Sequence, residues 1–153
     1  VDIKKLLLSL QDNKVQFLVI GGWALPAYGY QRFTKDVDIF IKPTKQNVAR
    51  TIKALRSLGY IVDEEQEKLF FTKKVLFRQY ILQTDIHPTV KGVTFSKVWK
   101  GRKETTIKGV KVFVPSVEDL IKMKQSAGRP QDMIDVGLLT EFLKQEKKEN
   151  GMK

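Results

Sequence analysis

Six consecutive residues, Asp36-Val37-Asp38-Ile39-Phe40-Ile41, alternate with period two, and this constrains the fold more tightly than any other stretch of the chain. Successive side chains on a strand point to opposite faces. Val37, Ile39 and Ile41 therefore share one side, and Asp36, Asp38 and Phe40 the other. The expectation is a sheet strand with two acids on one face.

The surrounding patterns supply the rest of that sheet and its helices. Ile3, Leu6, Leu7 and Leu10 keep helical spacing behind a cap at Asp2 and stop at Asn13. Val15 to Ile20 is a short apolar, β-rich run ended by Gly21-Gly22, and Trp23 to Tyr28 fits a brief helix tolerating Pro26 in its first turn. Thr44 opens a helix carrying Val48, Ile52, Leu55 and Leu58, closed by Gly59. Lys68 to Lys73 and Val75 to Ile86 read as further strands, the second long enough to hold a bend or bulge near Arg78 to Tyr80. Phe95 to Trp99 fits a short helix, and Glu104 to Ile107 and Val110 to Val114 flank a Lys108-Gly109 turn as a hairpin. Ser116-Val117-Glu118-Asp119 reads as a capping box opening a helix through Leu120, Met123 and Ala127 to Gly128. Pro130 begins a second helix through Ile134, Leu138, Leu139 and Phe142 toward a polar, frayed tail. These elements predict an α/β (α+β) fold: one domain over residues 1–146, a mixed sheet flanked by helices, then a tail at 147–153.

Composition narrows the chemistry. With 153 residues, 42% of them hydrophobic, the chain can fill one core. It has no cysteine and one histidine, which removes disulfides, thiolate metal sites and multi-histidine sites, so a metal would be held by carboxylates. The formal charge of +11 predicts attraction to polyanions. No apolar run approaches the roughly 20 residues of a membrane span, and no basic-then-apolar leader is evident; a soluble, cytoplasmic protein without membrane contact is expected.

Carboxylates two apart on a strand lie about 6.6 Å apart at the backbone, near enough to hold one magnesium ion or to bridge a pair. Upstream, Gly21 and Gly22 remove side chains where backbone amides and a helix N-terminus could face phosphate. Taken alone, Asp-x-Asp also describes a solvated strand edge, and a tight turn explains Gly-Gly equally well. Gly21-Gly22, thirteen intervening residues, then Asp36-Val37-Asp38 together resemble the signature of the DNA polymerase β-like nucleotidyltransferase superfamily. Glu118 to Leu139 looks like the matching helices of small bacterial nucleotidyltransferases of the AbiEii/AbiGii-type toxin group, so the resemblance covers nearly the whole chain.

The resemblance implies the nucleotidyltransferase fold. It also implies transfer of a nucleoside monophosphate from a nucleoside triphosphate to a hydroxyl, with release of pyrophosphate. Asp36, Asp38 and a third acid, Asp85, would hold Mg2+ or Mn2+, two ions in all, and Asp85 would assist in deprotonating the hydroxyl. Lys124 and Asp132 would line the nucleotide site. A solvated lysine, and an acid stabilised by the helix dipole, account for the same two residues without function. Arg32 and Lys35 could offset phosphate charge or simply be solvated. The usual Gly-Ser is Gly-Gly here, which removes a hydroxyl that can touch phosphate.

Other residues stay open between packing and function. His87 shares a strand face with Asp85 and could tune it, or be a partly buried, hydrogen-bonded histidine. Trp23, Phe33 and Trp99 could stack on a base or pack in the core. Lys91 to Lys111 holds seven basic residues and one acid, a net +6 that is either a nucleic-acid surface or a solvated one. The acceptor could be RNA such as tRNA, a protein or a small molecule. A homodimer, a partner protein or the acceptor itself would complete the cleft. The alternative to an enzyme is an inactive nucleic-acid-binding or toxin–antitoxin-type partner-binding protein of the same fold. The chain has no phosphate-loop, dinucleotide-fold or His-Glu-x-x-His motif.

Overall fold

The computed structural model describes residues 2–78 and 82–151. The period-two run forms strand β2 (Asp36–Ile41), and the apolar run before it forms β1 (Phe17–Ile20), paired antiparallel so that Ile20 lies opposite Asp38. β4 (Gln83–His87) joins the other edge of β2 in parallel, and β3 (Val75–Phe77) pairs antiparallel with β4, giving the order β1-β2-β4-β3. The sheet is mixed and flanked by helices, as the sequence patterns predict.

A parallel β2–β4 pair needs a crossover connection. Helix α2 (Lys45–Ser57) begins that crossover, capped by the Thr44 side chain, which accepts from the Asn47 amide at 3.3 Å. It packs on α1 (Ile3–Asp12), where the Ser9 hydroxyl donates to the Ala54 carbonyl at 3.0 Å. Beyond α2, Tyr60 meets Thr84 through their hydroxyls and packs edge-on against Phe77. Thr84 pairs with Val37 in the sheet register, so this side of the sheet is the one opposite the acids. Val37, Ile39, Ile41 and Ile86 are all fully buried.

Four expectations need correction. Lys68 to Lys73 is not a strand: Asp63 caps helix α3 (Glu64–Leu69) through a full capping box with Gln66, and a turn follows. The reciprocal side-chain bonds of Asp63 and Gln66 fix a helical turn, which overrides the β propensity of the aromatic pair behind it. Gly21-Gly22 is not a turn ahead of a helix. The glycines are the first residues of a 3₁₀ helix, Gly21–Tyr28, so Pro26 sits inside it. The C-terminal helix α6 (Pro130–Gly151) runs through most of the expected polar tail. Of the capping box at Ser116, the hydroxyl half forms, accepting from the Asp119 amide at 3.2 Å. The run Val75 to Ile86 divides into the two antiparallel strands β3 and β4, and of the bend expected near Arg78 to Tyr80, residues 79 and 80 lie outside the described residues.

On the acid-bearing side, Phe40 packs edge-on against Phe95 of α4 (Phe95–Lys100). The hairpin of β5 (Lys103–Ile107) and β6 (Val110–Val114) forms its own two-stranded sheet beside β1. Helix α5 (Val117–Ala127) follows and packs on α6. The ring of Tyr28 meets Phe142 of α6 edge-on, and its hydroxyl donates to the Pro115 carbonyl at 2.5 Å. Burial pushes the Tyr28 phenol up, so it remains a donor throughout the neutral range. Among the described residues, no helix is long and apolar enough to cross a membrane.

Candidate functional site

The parallel register places Asp38 opposite Asp85. Cross-strand partners project to the same face, so two acids 47 positions apart in sequence become neighbours through backbone pairing alone. His87, two residues beyond Asp85, lies on that face as well, and its Nε2 is 2.8 Å from Asp38 Oδ1. Asp38, Asp85 and His87 each offer a ligand atom within 4.8 Å of the other two. The sequence suggested that His87 could tune Asp85; its contact is with Asp38. Asp36 stands one step earlier on the same side of β2, opposite Gln83, and is not a member of this cluster.

Gly21 lies against Asp38. It has φ +69°, and a Cβ there would stand 2.4 Å from Asp38 Oδ2. Glycine is thus required twice over, by the left-handed backbone and by the carboxylate packed onto it. A Cβ on Gly22 would come within 3.1 Å of both Arg32 and Thr34, so the second glycine lets the loop before β2 fold down onto the 3₁₀ helix. With its oxygen and imidazole donors converging and a glycine holding the approach to Asp38 open, the cluster suits a divalent cation.

Sequence reasoning missed Arg78. Its Nη1 donates to Asp85 Oδ1 at 2.6 Å, and the guanidinium also feels the charges of Asp36 and Asp38. Its alternation with Leu76, the cross-strand partner of Asp85, is the sequence signal that marks it, legible only once β3 and β4 are paired.

A cleft of about 160 Å³ opens beside the acids. Gly21, Asp38 and His87 form its sheet side, Met123 and Lys124 of α5 its far wall, and Asp132 of α6 closes it. It is smaller than the roughly 300–1,000 Å³ of pockets that enclose a whole ligand, so it suits one portion of a larger molecule lying across the surface. A larger hollow of about 630 Å³, between α2 and α3, is lined by Val48, Ile52 and Phe71 together with Lys45, Lys53, Arg56 and Glu67, and includes none of Asp36, Asp38 and Asp85.

The structure brings Lys124 and Asp132 to the cleft but not Arg32 or Lys35. Lys124 Nζ lies 2.9 Å from Asp135 Oδ2 and 4.0 Å from Asp132. Arg32 makes a two-pronged contact with Asp135, tying the loop before β2 to α6. Lys35 is exposed. Burial alone would push the carboxyls of Asp132 and Asp135 up. Hydrogen bonds and nearby charge, from Arg129 and Lys124 for the first and Arg32 and Lys124 for the second, outweigh it and hold both below the ordinary carboxylate range. Of the three aromatics considered for stacking, Trp99 stacks on Phe95 and has the Arg102 guanidinium over its ring, Trp23 packs against the core, and Phe33 is 91% exposed on the loop before β2.

Comparison with known proteins bears on the family and the fold. Residues 1–145 match the family described as "Nucleotidyltransferase of unknown function (DUF6036)", and the chain belongs to that family. No curated protein matches the sequence significantly. Among solved structures, it is similar to ANT(2'')-Ia in complex with adenylyl-2''-tobramycin, at 21% identity over 96% of this chain and 90% of that one, with a TM-score of 0.66. It is also similar to the lincosamide antibiotic adenylyltransferase LnuA with lincomycin bound, at 20% identity over 93% of this chain and 98% of that one, with a TM-score of 0.59. At such identities the likeness is one of fold, and that fold is the nucleotidyltransferase one.

Proposed function

We propose that this chain transfers a nucleoside monophosphate from a nucleoside triphosphate to a hydroxyl of a small-molecule acceptor, in a reaction that depends on a divalent metal ion and releases pyrophosphate. The observation that carries the proposal is the β2–β4 register, which sets Asp38 against Asp85 beside a glycine-floored cleft. Two bare carboxylates at this separation repel, and a nucleotide's phosphates would add to the repulsion; such an arrangement is useful where cation and triphosphate arrive together. When bound, the divalent ion supplies positive charge against the triphosphate and the leaving pyrophosphate.

The chain's own residues do the remaining work. Asp38 and Asp85, with Asp36 one step away on the same face, would hold Mg2+ or Mn2+. Gly21 and Gly22 let the 3₁₀ helix amides approach the phosphates without side chains in the way. Lys124 and Arg129, kept in place by Asp132 and Asp135, present positive charge on the opposite wall. The acceptor oxygen bonds to the α-phosphorus as the bond from that phosphorus to the pyrophosphate oxygen breaks. The hydroxyl proton passes to the Asp85 carboxylate and from there to solvent.

The acceptor class is suggested by the neighbours of this fold, a lincosamide antibiotic adenylyltransferase and ANT(2'')-Ia in complex with adenylyl-2''-tobramycin. The reading does not depend on a relation to AbiEii-type toxins. The test is incubation with each labelled triphosphate, Mg2+ or Mn2+, and a panel of polyhydroxylated small molecules, with tRNA and protein as further acceptors, scored by pyrophosphate release and adduct mass. Transfer should be lost in the combined Asp38→Asn and Asp85→Asn variant. Transfer that survives it, or no transfer to any acceptor, would overturn the proposal.

A further inference from the structure

His87 is part of the cation site. We infer that its imidazole Nε2 is a direct metal ligand beside Asp38 and Asp85, and that the resulting mixed nitrogen–oxygen site prefers Mn2+ to Mg2+. The inference rests on the transferase reading above and extends it to the identity of the ion.

The geometry points this way in three respects. First, ligands at right angles on a six-coordinate ion with bonds near 2.1 Å are about 3 Å apart, and opposed ligands about 4.2 Å. Nε2 and Asp38 Oδ1 are 2.8 Å apart, and an Asp85 oxygen lies within 4.8 Å of both, so one ion can reach all three with little rearrangement. Second, Nε2 is the ring atom turned to Asp38 Oδ1, so the nitrogen that contacts the carboxylate is the one a cation seated between the two groups would meet. Third, His87 is placed by backbone pairing. It follows Asp85 by two residues on β4, on the face that the parallel register turns toward Asp38, and its side chain is only 16% exposed.

Ion preference follows from the donor set. Mg2+ binds oxygen almost exclusively and gives up its waters reluctantly. Mn2+ is held by carboxylates as Mg2+ is, and as a transition ion it tolerates an imidazole donor that Mg2+ disfavours, so the nitrogen tips the site toward Mn2+. Arg78 competes with either ion for Asp85, from its hydrogen bond to Oδ1, and so does not select between them.

The test uses the whole chain and Mn2+ itself. Electron spin-echo measurements on the Mn2+-loaded protein should show a directly bound ¹⁴N that becomes ¹⁵N when only histidine is isotopically labelled. Calorimetric titration should give tighter binding for Mn2+ than for Mg2+. In His87→Gln, which keeps an amide donor to Asp38, Mn2+ binding should weaken by more than the roughly 10–100-fold lost with an outer-shell partner, with Mg2+ binding little changed. Mn2+ bound without nitrogen coupling, or His87→Gln keeping the wild-type preference, would overturn the inference and leave the transferase reading standing, with His87 reduced to orienting Asp38. If neither ion binds, both readings are overturned. The spin-echo result on the unsubstituted chain decides the matter even if the variant does not fold.

Discussion

Replacing Gly21 by alanine should separate backbone strain from damage to the site. Two costs arise at this position. An L-residue at φ +69° costs about 1–2 kcal/mol. In a domain of this size that lowers Tm by roughly 2–8 °C. The new methyl would also lie 2.4 Å from Asp38 Oδ2, and ordinary contact begins at 3.4 Å, so the carboxylate must retreat by about 1 Å. A displacement of that size in a positioned group can cost on the order of 100-fold in rate. Gly29→Ala is the internal control, since Gly29 has φ +85° with nothing within 4 Å of its would-be Cβ. Both variants should show a similar fall in Tm by calorimetry. Only Gly21→Ala should lose metal affinity by titration and, once an acceptor is identified, about 100-fold in kcat/KM. If Gly29→Ala impairs the site as much as Gly21→Ala, or if Gly21→Ala binds metal as wild type does, the contact between Gly21 and Asp38 does not hold the site in shape.

Asp135→Asn should destabilise the chain by about 3 kcal/mol in urea denaturation, at the low end for a broken buried pair because Arg32 keeps a quarter of its side chain in solvent. The same carboxylate sets an acid limit. Its folded pKa is depressed, so its contribution is complete above the unfolded value of about 3.9 and is lost as pH falls through the folded value. Stability measured between pH 5 and pH 2 should therefore fall more steeply in wild type than in Asp135→Asn. Arg78→Gln removes the cation that neutralises Asp85, so divalent-ion affinity at low salt should rise while the metal-free protein loses about 1 kcal/mol or less; unchanged ion affinity would mean that Arg78 does not compete for the site.

Much of the fold was legible locally. The alternation over Asp36 to Ile41, the apolar stripe of α1, and the caps at Asp2, Thr44 and Ser116 are local decisions, made by backbone periodicity and short side-chain hydrogen bonds. Where two local signals competed, at Asp63 to Lys73, the Asp63–Gln66 box was the overlooked one, and it prevailed over β propensity because it satisfies otherwise orphaned amides. Strand periodicity also put Asp36 and Asp38 on one face, while Asp85 was nominated as their third partner through resemblance rather than through any local rule.

Tertiary structure alone decided which groups meet. The parallel pairing of β2 with β4 put Asp38 against Asp85, brought His87 onto Asp38, and left Asp36 one step outside the cluster. The antiparallel pairing of β3 with β4 set Arg78 beside Asp85, the packing of α5 on α6 brought Lys124 to Asp135, and the loop before β2 brought Arg32 to the same carboxylate. Strand periodicity fixes the side of a sheet on which a residue projects, and that is encoded within a few neighbours. Register between strands some 45 residues apart is settled by the burial of the whole core, which no short segment carries by itself.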